Sequence, residues 1–274
     1  MHEVERFHVL IVGSTFAGLG LASSLKEKAL VVERTGSVGA EFIAAFRNAK
    51  VNLSQEVSPI TNTLMSEAVH RSVIGGEGGI HWPAFAPLLY RVISSEKLPV
   101  RFLTRVIETA ALPDGGYEVT LMGAAGLSKV QVDTIIDTTS FCETAPDSAG
   151  RQLQGKRLNA MIHRPESTQN PPSITEGFTI YQGRFASEWV VSCPLELDDD
   201  WHAARERLLS FWEARPESLK PWKLATIADA FDVSLPAKTS VLSPGWLWHP
   251  SAAYADPIAA FEAGVQFQME VPAI

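Results

Sequence analysis

The stretch Phe7–Arg34 reads FHVLIVGSTFAGLGLASSLKEKALVVER, and its punctuation decides the fold. Phe7–Val12 is a short apolar run of β-formers that stops at Gly13, the pattern of a buried strand. Phe16–Lys28 carries Leu19, Ala22 and Leu25 at helical spacing, and Ala29–Glu33 (ALVVE) is a second buried strand. Strand, helix and strand within about 30 residues form a βαβ unit, so the two strands are expected to be parallel neighbours in one sheet. Gly13-Ser14-Thr15-Phe16-Ala17-Gly18 falls on the strand-to-helix turn, where a GxGxxG dinucleotide fingerprint sits. In that fingerprint the first glycine makes the turn, the second lets a pyrophosphate reach the backbone, and the third packs helix on strand. The amides at the helix start then hold the phosphates. Here Thr15 replaces the middle glycine; it offers a hydroxyl to a phosphate, but its Cβ takes up space. Glu33 ends the second strand about 20 residues after Gly13, the spacing of an acid that binds ribose hydroxyls. Arg34 beside it keeps a 2′-phosphate, and hence NADP, open as an alternative to an unphosphorylated ribose.

Downstream the pattern changes. Residues 34–80 are rich in Gly, Ser and Asn, with helical pieces expected over Glu41–Asn48 and Ile60–Val69 and a glycine loop at 75–79. Pro83–Glu96 reads as a helix with Pro near its start. Val100–Thr109, Tyr117–Met122, Ser128–Val132 and Thr134–Asp137 read as strands, the first two joined by a hairpin at Asp114-Gly115-Gly116. Ala145–Pro172 is polar and proline-bearing, and Phe178–Pro194 returns to strands around Gly183-Arg184. Asp200–Ala214 and Pro221–Phe231 are expected to be helices, Ser243–Pro250 a loop, and Asp256–Phe267 a final helix capped by Asp256 with Pro257 in its first turn.

The chain has 274 residues and a formal net charge of -8 with no basic tract, so a nucleic-acid partner is not expected. No apolar run approaches the roughly 20 residues that span a bilayer, and the acidic start lacks the basic, apolar layout of a secretory signal. Cys142 and Cys193 form no CxxC pair, which argues for a cytoplasmic protein without a disulfide framework. No metal site is expected.

Four segments together resemble the FAD-dependent oxidoreductases of the glutathione-reductase type, and within them the family that runs from an N-terminal fingerprint to an "IIDATG" motif. They are Ile11–Leu25 (IVGSTFAGLGLASSL), Val31–Arg34 (VVER), Val100–Met122 and Asp133–Ser140 (DTIIDTTS). The resemblance implies an FAD/NAD(P)-binding Rossmann-like α/β domain with a β-meander, plus a second α+β domain for substrate. The boundaries expected are 1–145 with 237–274 for the discontinuous FAD domain and 146–236 for the substrate, or cap, domain. It implies FAD as cofactor, held by Gly13, Ser14, Thr15, Phe16, Ala17 and Gly18, by Glu33 and Arg34, by the Val106 backbone facing adenine, and by Thr138, Thr139 and Ser140 in place of ATG. A meander in place of further βα units favours FAD over NAD. The usual late Gly-Asp motif is not evident before the last helix.

In related flavoproteins the final helix points at the pyrimidine end of the flavin. Asp256 and Pro257 therefore join the cofactor residues, and His249 and Tyr254 just upstream become candidates for substrate contact. His81 is a third catalytic candidate, a titratable group after the glycine loop, although capping of the next helix is its simpler role. Arg164 and Arg184 are cations able to pair with a substrate carboxylate, with solvation the simpler role for each. Cys142 would fall near a flavin, but packing is its simpler role. Gly245–Pro250 (GWLWHP) is similar to the WxWxIP motif of flavin-dependent halogenases but one residue short of it, and an aromatic loop over the last helix is preferred.

The reaction expected is hydride transfer between a small organic substrate and the flavin. A flavin monooxygenase or halogenase is one alternative and a non-catalytic FAD-binding partner subunit another, with a homo- or hetero-oligomer open.

Overall fold

The computed structural model describes residues 4–150, 152–164, 173, 177–236 and 239–268. The expected βαβ unit is present. Strand β1 (Glu5–Val12) leads through a tight turn into helix α1 (Phe16–Leu25), and a short 3-10 turn brings the chain back as β2 (Ala29–Val32). The strands are parallel, Val9–Val12 lying opposite Ala29–Val32. Side chains alternate across a strand, so Val9 and Ile11 enter the core under the helices while Leu10 and Val12 enter the core on the other face. Both faces are covered, which is why the run reads as continuously apolar.

Segment 41–46 is a series of turns rather than the helix expected over Glu41–Asn48. Helices α2 (Pro59–His70) and α3 (Ala86–Glu96) follow, then β3 (Val100–Arg101) beside β2. The single strand expected over Val100–Thr109 is split at Leu103, whose φ is 53°, and β4 (Arg105–Ala111) turns away to form the meander with β5 (Tyr117–Gly123) and β6 (Gly126–Asp137). β6 is one 12-residue strand where two were expected. Its first half pairs with β5 and its second half lies parallel to β1, so this one strand carries the chain from meander to central sheet.

After the short α4 (Pro146–Gly150) a second, five-stranded sheet forms from β7 (Gly155–His163), β8 (Thr179–Gln182), β9 (Glu188–Leu195), β10 (Lys223–Ile227) and β11 (Asp232–Ser234), with helix α5 (Trp201–Glu213) against it. The helix expected over Pro221–Phe231 is β10, whose Lys223–Ile227 pairs with Ala160–His163 of β7; the free edge of a sheet outweighs a weak helical pattern. Of the polar stretch Ala145–Pro172, residue 151 and residues 165–172 lie outside the described residues. The chain then returns to the first sheet as the hairpin β12 (Ser240–Ser243) and β13 (Trp246–Trp248), replacing the loop expected over Ser243–Pro250. β13 runs parallel to β6, so its aromatic residues are strand residues. Trp248 is fully buried and its indole donates to the Thr139 carbonyl. The last helix, α6 (Pro257–Val265), lies against α1.

Among the described residues no helix is long and apolar enough to cross a membrane, and no group of three or more His, Cys, Asp or Glu is placed to hold a metal.

Candidate functional site

The candidate site is the turn from β1 into α1. Gly13 adopts φ +96°, a left-handed conformation that glycine takes without strain, and its amide donates to the Val32 carbonyl at 2.8 Å. Gly18 has no room for a side chain: a Cβ there would lie 2.4 Å from the Gly13 carbonyl oxygen and 2.8 Å from Thr138 Oγ1. The first and third glycines therefore have the roles the fingerprint assigns them.

Thr15 has a different role from the one expected. It is buried, and its hydroxyl turns into the protein. The Gly18 amide donates to Thr15 Oγ1 at 2.9 Å, Thr15 Oγ1 lies 2.7 Å from Thr138 Oγ1, and Thr138 Oγ1 donates to the Val12 carbonyl at 2.9 Å. One chain of donors thus runs from helix to strand through two threonines. These residues replace the second glycine and the alanine of the resembled motifs, so the two departures are in contact. The Thr15 hydroxyl is the N-cap of α1 and is not presented to a phosphate.

The two amides before Gly18 also have partners within the chain. Phe16 N donates to Glu41 Oε1 at 2.8 Å, and Ala17 N donates to Ser251 Oγ at 3.1 Å. Ser251 in turn donates to Glu41 Oε1 at 2.6 Å. Two connections bring these groups here. The Gly39 amide donates to the Ser14 carbonyl and ties the Glu41 segment to the turn. On the other side the chain leaving β13 continues along the end of β6, with His249 N donating to Asp137 O and Ser251 N to Thr138 O. Neither Glu41 nor Ser251 is among the residues expected from the sequence. An acid within the run Gly39-Ala40-Glu41 was the one visible hint of the first, and nothing marked the second. Burial pushes the Glu41 carboxyl up to about 7, opposed by the Ser251 hydrogen bond, the Phe16 amide and the Arg47 charge. Its Oε2 is buried and has no hydrogen-bond partner.

Glu33 directly follows β2, which ends one residue earlier than expected, and its carboxylate is hydrogen-bonded by its own neighbours. Oε2 accepts from Ser14 N at 3.0 Å and Ser14 Oγ at 3.2 Å, while Oε1 accepts from Thr35 N at 2.9 Å and Thr35 Oγ1 at 2.7 Å. The Ser14 hydroxyl also reaches the Ser37 carbonyl at 2.9 Å and has one proton to give, so the two amides and the Thr35 hydroxyl are the carboxylate's undivided donors. Arg34 is exposed and pairs with Glu143 at 3.0 Å. Val106 pairs with Leu121 in the meander, and the Thr104 amide just before it donates to the Glu33 carbonyl, so this strand start does reach the Glu33 end of the turn.

At the end of β6 the Asp137 carboxylate accepts from the amides and hydroxyls of both Thr139 and Thr144. Those bonds knot the Thr138–Ser140 turn, and burial raises the Asp137 carboxyl despite them.

The remaining candidates are dispersed. Asp256 Oδ1 accepts from the Ile258 and Ala259 amides, both at 2.9 Å, and Pro257 opens the helix. These two N-terminal amides of α6 are thus capped by the protein itself. His249 lies 2.8 Å from Thr239 Oγ1 through Nδ1 and 3.1 Å from Tyr254 Oη through Nε2, and burial lowers its pKa to about 4. It is therefore neutral at pH 7. Cys142 is buried, and burial pushes its thiol up to about 12, which makes it a packing residue.

His81 makes no cap to the following turn. Its Nδ1 lies 2.9 Å from Glu188 Oε2 on β9, edge-on to Phe185. This pair lines a cleft of about 240 Å³ with Met161, Ile162, His163 and Ala225. Burial raises the Glu188 carboxyl, partly offset by His81. Arg184 lies over the Phe185 ring.

The frame therefore fits the adenosine diphosphate half of a dinucleotide in backbone and topology. Its donors, however, do not stand open. All residues of Gly13–Gly18 are buried, and neither this cleft nor the one of about 340 Å³ between α2 and α3 is lined by any of them.

Solved structures place the fold. A ternary complex of aklavinone-11 hydroxylase with FAD and aklavinone matches 97% of this chain at 13% identity and a TM-score of 0.57. The chain spans 61% of that hydroxylase. Glycine oxidase from Geobacillus kaustophilus matches over 96% of this chain and 93% of its own, at 10% identity and a TM-score of 0.63. A myxobacterial chondrochloren halogenase, described as a variant of the FAD-dependent halogenases, matches over 95% and 71% at 17% identity and a TM-score of 0.60. The chain shares the fold of these three proteins. No family model matches the sequence, and no curated protein does.

Proposed function

We propose that this chain is an FAD-dependent oxidoreductase, of the glutathione-reductase-type FAD fold, acting on a small organic substrate. The observation that carries this reading is the βαβ turn with Gly13, Gly18 and Glu33 at the spacing of the fingerprint, inside a fold shared over 95–97% of the chain with a hydroxylase solved with FAD, an oxidase and an FAD-dependent halogenase. In this reading the Phe16 and Ala17 amides hold the pyrophosphate and Glu33 the ribose, both after exchanging their present partners. The bound flavin supplies two-electron redox chemistry, and the protein supplies binding, orientation and a dry site. The region 146–236 acts as the cap domain. The substrate lies in the apolar cleft at His81 and Glu188, a donor–acceptor pair able to hold or move a proton at His81 Nδ1. Oxidation by hydride transfer is the simpler chemistry, and hydroxylation or halogenation, for which two of the fold neighbours are named, is the alternative.

A second reading has its own observation. The amides at the start of α1 are bonded to Glu41 and Ser251, which favours a non-catalytic member that keeps the fold as a partner subunit.

The deciding experiment is an absorption spectrum of the purified protein, with identification of any small molecule released on denaturation. The proposal expects a yellow protein that releases FAD, bleached by its substrate or by NAD(P)H. A colourless protein that takes up no added FAD overturns it in favour of the second reading.

A further inference from the structure

We propose that Glu41, braced by Ser251, is an internal occupant of the pyrophosphate position, so that a dinucleotide binds only when this carboxylate withdraws from the start of α1. The inference rests on the reading of the turn as an FAD site and concerns how that site is controlled.

The geometry is that of an anion on a helix N-terminus. Phe16 N and Ala17 N follow the glycine turn directly, and it is their backbone donors that an incoming phosphate needs. Glu41 Oε1 takes the first at 2.8 Å and, through the Ser251 hydroxyl, the second. Glu41 Oε1 and Ser251 Oγ thus supply, at these two amides, the acceptor atoms that a phosphate would bring. A phosphate and this carboxylate cannot share two amides: each N–H makes one good bond, and two anions at one dipole end repel each other. Glu41 is 5% exposed, so the phosphate has no route past it while it is in place.

The occupant also carries a mark of incomplete satisfaction. Glu41 Oε2 is buried without a hydrogen-bond partner. A carboxyl held only for packing would be costly here, since an unpaired buried polar atom is penalised. The segment that delivers it is built of turns rather than helix, and turns shift more readily than a packed helix. On the other side Ser251 is fixed by its amide to the end of β6. The backbone around Glu41 is held too, by the Gly39 amide on the Ser14 carbonyl and by Asn159 on the Ala45 carbonyl, so it is the Glu41 side chain that withdraws.

A site whose open form is a minor state binds more weakly by the factor of that population. The test compares the wild type with Glu41→Ala, which empties the position, and Glu41→Gln, which keeps an acceptor there. Each is titrated with FAD, ADP and inorganic pyrophosphate, and thermal melts establish that each variant is folded. The expected result is an affinity for all three ligands higher by roughly tenfold or more in Glu41→Ala than in the wild type, with Glu41→Gln closer to the wild type.

Equal or weaker FAD binding by a folded Glu41→Ala overturns the inference and leaves the FAD reading intact if the wild type binds FAD. Gain of ADP and pyrophosphate binding without FAD binding supports the inference and overturns the FAD reading. No binding of any ligand by any folded variant overturns both.

Discussion

Glu41 is also the residue whose ionisation couples most directly to the fold. Its carboxyl is raised from 4.5 to about 7 by burial, so the folded protein holds a proton there that the unfolded chain releases. In that window the native state binds more protons, and stability falls as pH rises from about 4.5 to about 7, then levels off. A shift of this size corresponds to on the order of 3 kcal/mol. Glu41→Gln has no such proton, so the wild-type minus variant difference in unfolding free energy should decline across this range. Chemical denaturation at several pH values measures it, and a flat difference would show that the carboxylate is stabilised by Phe16, Ser251 and Arg47 as well as it is by water. The same proton bookkeeping makes His249 a poor acid at neutral pH, since its pKa lies near 4. Its contacts with Thr239 and Tyr254 describe a neutral core histidine.

Among the elements, the pair α1 and α6 holds the turn in place. The two helices approach so closely that a Cβ on Gly20 would lie 2.0 Å from the Phe261 carbonyl oxygen, and one on Gly264 would lie 2.0 Å from that of Ala17. The Ala17 amide donates to Ser251, so this contact sets the position of the N-terminal end of α1. Alanine is the better helix former by about 1 kcal/mol, which alone would favour Gly20→Ala. The backbone collision reverses the sign, since overpacking costs about 1–3 kcal/mol and pushes helices apart. Gly20→Ala should therefore lower the unfolding free energy in urea titration and weaken any dinucleotide binding with it. A stabilised variant would mean that α6 moves away from α1 without cost.

Across the whole molecule, the segment carrying Glu41 is also the link to the second sheet. Arg47 lies 3.6 Å from Asp232 on β11 and donates to the Ala252 carbonyl at 2.5 Å, while Asn159 Nδ2 on β7 donates to the Ala45 carbonyl at 2.8 Å. Asp229 N donates to the Ala44 carbonyl. Burial raises the Asp232 carboxyl, with Arg47 as the largest opposing influence. Arg47→Leu leaves that carboxylate with the Asn159 amide and the more distant Arg157 charge, and breaking a buried pair on one side costs up to about 3–5 kcal/mol. The expected outcome is a large drop in melting temperature, partly recovered when Asp232→Asn is added, because the neutral amide needs no counter-charge. No recovery in the double variant would show that Arg47 acts through Ala252 and the Phe42 ring it covers rather than through Asp232.

The sequence by itself determined the parts of this protein that depend on neighbours in the chain. Apolar runs of strand length around Gly13 fixed the βαβ unit, Asp114-Gly115-Gly116 fixed the hairpin, and Asp256-Pro257 fixed the start of the last helix, because turns, caps and side-chain alternation are local effects. The places of Gly18 and Glu33 were legible for the same reason, being set by spacing within the unit. Tertiary structure alone decided the remainder. Lys223–Ile227 and Trp246–Trp248 became strands because an unpaired sheet edge was waiting for them, which no window of sequence reveals. The occupants of the turn were hidden more deeply. Glu41 reaches Phe16 across 25 residues and Ser251 reaches Ala17 across 234, the latter carried there by β13. A fingerprint reads which backbone amides are aimed outward; only the packed chain decides which acceptor reaches them first, because that depends on long-range contacts that bring distant side chains to one helix end.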